Sequence, residues 1–281
     1  MLLSSKIFSI CMFIYLFCTI LYLITALFKN KVISLLSTSV LLINFLLHTF
    51  GIFQRWLETH RTGFSYIPLA NMFESLIFFS WSIALIYLII EFVYKNKIIG
   101  IFASFLSCFS IGLTSIVPGI SDEILPLIPA LQSNWLTAHV TTCFLGYAGF
   151  ALSFSVSIIY LLQLRRIRRN RKEISWLPNL EFLDQLNYKS VIIGFCFLTL
   201  GIITGSAWAH YAWGSYWSWD PKETWSLITW LIYGGAIHAR LTRGWSGKKL
   251  ALLSIFGFAS VIFTYFGVNF FLAGLHSYAT P

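Results

Sequence analysis

Residues 83–90 read Ile-Ala-Leu-Ile-Tyr-Leu-Ile-Ile and lie within an apolar run from about residue 72 to 92. A membrane-spanning strand would alternate polar and apolar side chains, and this run does not. A helix satisfies its backbone hydrogen bonds within its own segment, as the interior of a bilayer requires. The run therefore predicts a transmembrane helix.

Seven further runs of the same kind predict about eight transmembrane helices. About 20 apolar residues suffice to cross the hydrocarbon core. The predicted spans are about residues 7–28, 32–53, 72–92, 98–117, 136–163, 189–209, 225–242 and 250–272. The expected fold is an all-α, polytopic membrane helix bundle that forms a single integral membrane domain over residues 1–281.

The composition excludes an ordinary soluble protein. Of the 281 residues, 58% are hydrophobic and 10% are charged, and the mean hydropathy is +0.78. Soluble globular domains carry about 25% charged residues. The first run is too long for the apolar core of a signal peptide and has no basic leader beyond Lys6, so we expect it to be retained as a span.

The basic residues predict the orientation of the chain. They collect in the connections after spans one, three, five and seven: Lys29, Lys31, Lys95, Lys97, Arg165, Arg166, Arg168, Arg169, Arg171, Lys172, Arg240, Arg243, Lys248 and Lys249. The opposite face is left with Lys6, Arg55, Arg61 and Lys222. The positive-inside rule then places both termini and the connection between spans six and seven outside, in a periplasm or thylakoid lumen.

This topology also explains the net charge of +9. A basic cluster beside a span, such as residues 165–172, is typical of an inner-face anchor that meets membrane lipid. We therefore expect no nucleic-acid partner, although a basic run of this length is also found in nucleic-acid-binding segments.

The five cysteines, Cys11, Cys18, Cys108, Cys143 and Cys196, all fall within predicted spans and form no Cys-x-x-Cys pair. Buried cysteines of this kind are typical packing residues. A thiol–disulfide carrier needs two close thiols, at least one of them activated and accessible. The sequence therefore argues against that class of protein.

Residues 208–225 form a Trp-rich outer loop in the predicted topology, and they contain five tryptophans: Trp208, Trp213, Trp217, Trp219 and Trp225. Tryptophan also collects at membrane interfaces, so two or three of these could be belt residues. The density of tryptophans in this loop exceeds what an aromatic belt at a membrane interface needs. Indoles clustered around Gly214 offer a flat apolar surface with N–H donors, which suits a porphyrin with propionates at its edge.

The end of this loop has the pattern of a helix start. Asp220-Pro221-Lys222-Glu223 predicts a capping box with Asp220 as the N-cap and Pro221 as the first helical residue. We expect Asp220 and Glu223 to begin span seven rather than to act as acid or base. Lys222 is a candidate partner for a haem propionate or, alternatively, a solvated lysine at a helix end.

The motif Trp213-Gly214-x-x-Trp217-x-Trp219-Asp220-Pro-Lys-Glu-Thr-Trp225 resembles the WWD signature of the haem-handling cytochrome c maturation family, in its CcsA branch (system II). Residues 63–81 resemble the family's second outer loop and third span, and residues 274–279 resemble its ending. The resemblance thus covers most of the chain. His210 and Tyr211 depart from the expected pattern, which leaves the role of His210 open.

The resemblance implies a role in attaching haem to c-type cytochromes. With a CcsB-type membrane partner, the chain would receive haem b from the inner face and present it outside to apocytochromes c, such as cytochrome f and soluble c-type cytochromes. It would then be a component of a cytochrome c haem lyase (synthetase) complex, with a thiol-reducing protein as a further partner. The substrate supplies the reacting thiols, so no catalytic nucleophile is expected in this chain.

Two of the six histidines are the predicted axial ligands of an outer haem. His139 lies in the first turn of span five, and His276 follows span eight, so both are expected level with the Trp-rich loop. The alternative is that each only binds a neighbouring loop. The predicted haem-binding set adds Trp213, Gly214, Trp217, Trp219, Asp220, Lys222 and Trp225. We expect structural roles for His48, near the outer end of span two, and for His60, in the loop that follows it.

His238 is the third predicted iron ligand. It follows Pro221 by 17 residues, which places it about 26 Å along a helix and therefore in the inner leaflet. There it would ligate entering haem together with a histidine of the CcsB-type partner. The alternative is a helix-end histidine that interacts with terminal carbonyls near Arg240.

Three other classes of protein fit less well. A b-type electron carrier usually needs paired histidines about two heptads apart in each of two spans, which the sequence lacks. An ion-coupled transporter usually has charges deep in its spans, whereas the acidic residues near spans here are Glu74 and Glu91, toward the span ends. A structural subunit of a membrane complex would explain the helices but not the Trp-rich loop.

The residue usage bears on the compartment. The chain is rich in Phe, Ile, Ser and Lys and poor in Ala, which is typical of an AT-rich genome. Together with the resemblance, this predicts the thylakoid membrane of a chloroplast or other plastid, or of a cyanobacterium, with the Trp-rich loop on the lumenal side. A bacterial inner membrane is the alternative.

Overall fold

A computed structural model describes residues 2–169, 172–174, 176–272 and 274. Across these residues the chain is built from helices, and no strand is found among them. The long helices are α1 (Leu3–Phe28), α2 (Lys31–Arg61), α3 (Met72–Tyr94), α4 (Ile99–Ile116), α5 (Asn134–Arg168), α6 (Leu180–Trp213), α7 (Pro221–Arg243) and α8 (Lys248–Ile262). A π-helical turn, Phe263–Gly267, and a short α9, Val268–Phe271, continue α8. The predicted all-α fold is confirmed.

The predicted boundaries are too short for two helices. α2 runs to Arg61 rather than to residue 53, and α6 starts at Leu180 rather than at 189. Hydropathy misses these polar turns, although they are well formed: the side chain of Asn179 accepts a hydrogen bond from the Phe182 N–H at 2.8 Å and caps α6. The prediction that His60 lies in a loop is therefore wrong, since it lies in the last turn of α2.

Seven of the described helices are long and apolar enough to cross a membrane, with α8 to α9 counted as one. The helix predicted from residues 225–242 also forms, as α7, but it is not among these seven. Its polar residues lower its mean hydropathy, among them His238 and Arg240. The chain is an integral membrane protein.

The helices form two compact units, residues 1–132 and 133–281. In the first unit α1 packs against α2 and α4, and α3 packs against α4. In the second unit α5 packs against α6 and α8, and α7 packs against α6 and α8. The Trp-rich segment belongs to the second unit.

The first unit buries several polar side chains. Arg55 is 1% exposed, and its Nε lies 3.1 Å from Oε1 of the equally buried Glu74. The Arg55 guanidinium also donates to the carbonyl of Asp122 at 2.6 Å. His48 is fully buried and lies 3.1 Å from the Tyr15 hydroxyl through its Nδ1. Each of these contacts ties one helix of the first unit to another helix or loop.

Glu91, the second acidic residue near a span, also makes hydrogen bonds within the first unit. The carboxylate of Glu91 accepts a hydrogen bond from the Tyr22 hydroxyl at 2.7 Å and another from Thr38. The Lys97 amine lies 3.6 Å away. Glu91 therefore joins α1, α2 and α3 near one end of the first unit.

Glycines bring α5 and α6 of the second unit into close contact. A β-carbon on Gly149 would lie 2.8 Å from the backbone nitrogen of Gly194, and one on Gly201 would lie 2.6 Å from Sγ of Cys143. Small residues let membrane helices approach in this way, and Gly201-Ile-Ile-Thr-Gly205 has the Gly-x-x-x-Gly spacing. This contact positions the first turns of α5 against the end of α6.

Candidate functional site

His139 lies in the second turn of α5 and faces α6. Its Nδ1 is 2.8 Å from the carbonyl oxygen of Gly201. Because a carbonyl only accepts, Nδ1 carries a proton, and in its neutral form the ring has its lone pair on Nε2. A hydrogen bond of this kind on one nitrogen fixes the tautomer and orientation of metal-binding histidines.

The space for this ring depends on Gly205. A β-carbon there would lie 2.5 Å from Nδ1 and 2.6 Å from Cε1 of His139. Any side chain would therefore push the imidazole away from the Gly201 carbonyl.

An indole pair adjoins His139. The ring of Trp208 stacks on it with a centroid distance of 5.9 Å and an interplanar angle of 13°. Trp213 meets Trp208 edge to face at 5.0 Å and 74°. The Trp-rich loop of residues 208–225 included Trp208, but the predicted binding set omitted it. A spacing of five residues separates Trp208 and Trp213 by about 140° around a helix, so no signal in the sequence indicated the pair.

The irregular part of the Trp-rich segment is shorter than predicted. α6 continues to Trp213, and α7 starts at Pro221, so residues 214–220 alone connect the helices. Gly214 ends α6 with φ +79°, and its N–H donates to the His210 carbonyl at 2.9 Å. Left-handed glycines commonly end helices in this way.

Two serine hydroxyls donate hydrogen bonds to backbone carbonyls of this connection. Ser206 donates to the carbonyl of Tyr216 at 2.9 Å, and Ser215 donates to that of Trp217 at 2.9 Å. The ring of Trp217 is half-buried and meets Trp219 edge to face at 5.7 Å and 90°. Trp219 is 69% exposed.

The predicted capping box is confirmed. The side chain of Asp220 accepts from the Lys222 N–H at 3.0 Å, and Glu223 accepts from the Asp220 N–H at 3.2 Å. Both carboxylates are buried, with Asp220 6% exposed. Its place in the haem-binding set remains a prediction.

Lys222 is half-buried and precedes the apolar part of α7, which begins at Trp225. Burial lowers the pKa of its amine from the ordinary 10.5 to about 8, while the nearby Asp220 carboxylate raises it. An anionic ligand stabilises a charged amine more when the amine is partly removed from water than when it is fully solvated.

The chain after α9 returns to the start of α7. Gly274 approaches Asp220 so closely that a β-carbon on Gly274 would overlap the carboxylate oxygen Oδ2 and lie 3.0 Å from Cδ of Pro221. His276, the second predicted outer ligand, lies outside the described residues.

The remaining predicted residues of the set lie elsewhere on α7. Trp225 is half-buried and packs on Phe263 of the π-helical turn at 4.3 Å. Such turns often occur at functional sites. His238 is exposed on α7, and Arg240, two residues on, is fixed by a 2.8 Å bond to Asp184.

The other histidines pack locally. His210 is exposed and stacks on Tyr216 with centroids 4.2 Å apart. Nδ1 of His60 lies 2.9 Å from the Trp56 carbonyl, and the two rings are 4.5 Å apart. Thus His139 packs on Trp208, which in turn contacts Trp213. Separately, Gly274 lies against Asp220.

Comparisons with known proteins identify the family of this chain. A family model described as Cytochrome C assembly protein matches residues 69–276. The chain is 38% identical over 243 residues to the cytochrome c biogenesis protein CcsA of Guillardia theta, covering 80% of this chain and 79% of that protein. It is 36% identical to CcsA of Cyanophora paradoxa, covering 95% and 94%, and 41% identical to CcsA of Prochlorococcus marinus (strain NATL1A), covering 80% and 78%.

A solved structure shares the fold. It is titled Cytochrome c Heme Lyase CcmF and superposes with a TM-score of 0.70 at 18% sequence identity. The match covers 94% of this chain and 46% of that one, so the chain spans less than half of the larger protein. With the family match and the relatives taken together, this chain belongs to the cytochrome c assembly family, in its CcsA-type branch, and acts in cytochrome c biogenesis.

Proposed function

We propose that the second unit binds haem b and presents it for covalent attachment to apocytochromes c. The chain would act with a CcsB-type membrane partner as a component of a haem lyase complex. Its part is to hold and orient haem, whereas the substrate supplies the thiols that add across the haem vinyl groups.

The observation that carries the proposal is the hydrogen bond of His139, which fixes the tautomer of its ring. The Gly201 carbonyl fixes the imidazole as the tautomer whose lone pair is on Nε2. Haem iron takes a neutral imidazole nitrogen as its axial ligand. The buried indole of Trp208 packs on His139, and the half-buried indole of Trp213 beside it offers apolar surface that a porphyrin would cover.

His276 is the proposed second ligand of the same iron. Gly274 lies against Asp220 at the start of α7, and two peptide units span at most about 7 Å. We therefore expect His276 to lie within reach of the Trp-rich segment.

The connection between α6 and α7 would supply the rest of the site. Trp217 and Trp219 offer perpendicular rings, and the exposed face of Trp219 is available for stacking. Lys222, whose pKa is lowered by burial, would pair with a propionate. Gly214 and Trp225 complete the proposed set by shaping the ends of the two helices.

His238 is the proposed ligand of an inner haem. Its exposure on α7 is consistent with a second ligand from another chain, because an imidazole on the outside of a membrane helix is costly without a partner. That partner would be the CcsB-type protein.

The proposed location is a thylakoid membrane, with the Trp-rich segment on the lumenal side. The relatives include cyanobacterial and algal proteins, and the basic connections predict this orientation. The proposed substrates are cytochrome f and soluble c-type cytochromes, and a thiol-reducing protein would keep their cysteines reduced.

The test is the absorption spectrum of the full chain purified in detergent. We expect the Soret, α and β bands of low-spin ferrous haem, and we expect His139→Ala to lose most of this signal and most covalent cytochrome c in vivo. Added imidazole should restore part of both. His210→Ala is the matched control, since His210 is exposed at the end of α6 and stacks on Tyr216. A colourless wild-type preparation, or an unaffected His139→Ala/His276→Ala double variant, contradicts the proposal.

A further inference from the structure

The connection from Trp217 to Asp220 curls around one carboxylate. Oε2 of the buried Glu223 accepts hydrogen bonds from the backbone N–H of Ser218 at 2.7 Å and of Asp220 at 3.2 Å. The Ser218 hydroxyl lies 3.3 Å from each carboxylate oxygen. The two N–H donors thus belong to the residues on either side of Trp219.

This curl forces Trp219 into an unusual backbone conformation. Its φ is +58°, in the left-handed region where a bulky side chain is a genuine outlier. Convergence of alternate N–H groups on one anion is the arrangement of anion-binding nests, and here Glu223 supplies the anion. The hydroxyl of Thr224 donates to the Trp219 carbonyl at 3.3 Å, so the first turn of α7 holds both sides of this residue.

Helix capping alone does not require these contacts. In a capping box, the Glu223 side chain needs to accept only one hydrogen bond, from the N–H of the N-cap residue. The bonds to Ser218 are additional. Glycine or asparagine would adopt the left-handed conformation at lower cost, yet this position carries a large indole that is 69% exposed. Strained residues of this kind cluster at functional sites.

We infer that Glu223 is a positioning residue that sets the exposed ring of Trp219 for contact with haem, beyond its part in capping α7. The inference rests on the proposed function. It assigns Glu223 an indirect role: the carboxylate acts through the backbone of residues 218–220, and the indole makes the contact.

The first test needs no haem. The full chain is labelled with 5-fluorotryptophan, and the ¹⁹F resonance of Trp219 is assigned by its absence in Trp219→Phe. Glu223→Asp keeps the charge but withdraws the carboxylate by one methylene from the Ser218 N–H, so the Trp219 resonance should shift and broaden. Glu223→Gln keeps the length and an acceptor oxygen, so the resonance should stay near its wild-type position. An unchanged resonance in Glu223→Asp overturns the inference.

The second test is a double-mutant cycle on haem affinity. Trp219→Ala and Glu223→Asp should each weaken binding by about tenfold, the scale of a lost aromatic contact. If Glu223 acts through Trp219, the double variant should also be about tenfold weaker, because the second change removes nothing further. A hundredfold loss would show that Glu223 acts independently of this ring and would contradict the inference.

The two tests separate this inference from the proposed function. If the wild-type chain binds no haem, the proposed function fails, while the ¹⁹F measurement still reports whether Glu223 sets the ring. If haem binds but Glu223→Asp leaves both the resonance and the affinity unchanged, the positioning role is wrong and the proposed function stands.

Discussion

The carboxylate of Asp220 fills the space that a β-carbon on Gly274 would occupy. The cap of α7 and the chain after α9 are therefore in direct contact, and no residue larger than glycine fits at position 274 without movement. His276, the proposed second ligand, follows Gly274 by two residues in the sequence.

Gly274→Ala should displace the chain at this contact and weaken ligation by His276. We expect haem to remain bound through His139, with the low-spin spectrum converted in large part to high spin and restored by imidazole. Gly112→Ala is the control, because a β-carbon there meets only Sδ of Met12 at 3.7 Å. A wild-type spectrum for Gly274→Ala would show that the contact does not position the ligand.

Gly205→Ala should reproduce the loss caused by His139→Ala. The new methyl group would lie 2.5 Å from Nδ1 of His139, so the ring must leave the Gly201 carbonyl. Alanine is otherwise favoured over glycine inside a helix by about 1 kcal/mol, so the protein should remain folded and inserted. Low-spin haem content, compared with that of Gly112→Ala, is the measurement, and full content in Gly205→Ala would contradict the proposed ligand geometry.

The sequence predicts the helices and the Asp220 cap because both depend on local patterns. Apolar runs of about 20 residues specify spans wherever they occur, and the capping box lies within four consecutive residues. The bond from His139 to Gly201 joins residues 62 positions apart, and no local pattern specifies it. The close contact of α5 and α6 has a local signal in the Gly-x-x-x-Gly spacing of Gly201 and Gly205.

The role of Glu223 could not be predicted for a related reason. Its position three residues after the N-cap predicted the bond to the N–H of Asp220, but the bonds to Ser218 depend on the path of the connection. The left-handed conformation of Trp219 is equally hidden, because tryptophan has no preference for it.

Lys222 should make haem affinity depend on pH. Its pKa is about 8 without a ligand, and a bound propionate would raise it, since an anion favours the charged amine. Affinity should therefore be highest below pH 8 and fall, by about tenfold for a charge-assisted bond, as the pH rises past 8. Lys222→Arg should abolish the fall because arginine stays charged, whereas Lys222→Gln should bind weakly at all these pH values. Haem titrations at pH 7 and pH 9 measure this, and a steep fall retained in Lys222→Arg would assign the titration to another group.

His238 tests the proposed route of haem through the membrane. It lies about 26 Å along α7 from Pro221, it is exposed, and its neighbour Arg240 is fixed to Asp184.

His238→Ala removes an exposed side chain, so α7 should keep its packing. In a complex with the proposed CcsB-type partner, we expect this variant to lose haem from both proposed sites, because the inner site would feed the outer one. His276→Ala should instead retain haem at the inner site, and His60→Ala, an exposed histidine of the first unit, should retain both. Haem content and spin state of the purified complexes are the measurements. Full occupancy of the outer site in His238→Ala would remove His238 from the route, since haem would then reach His139 without passing it.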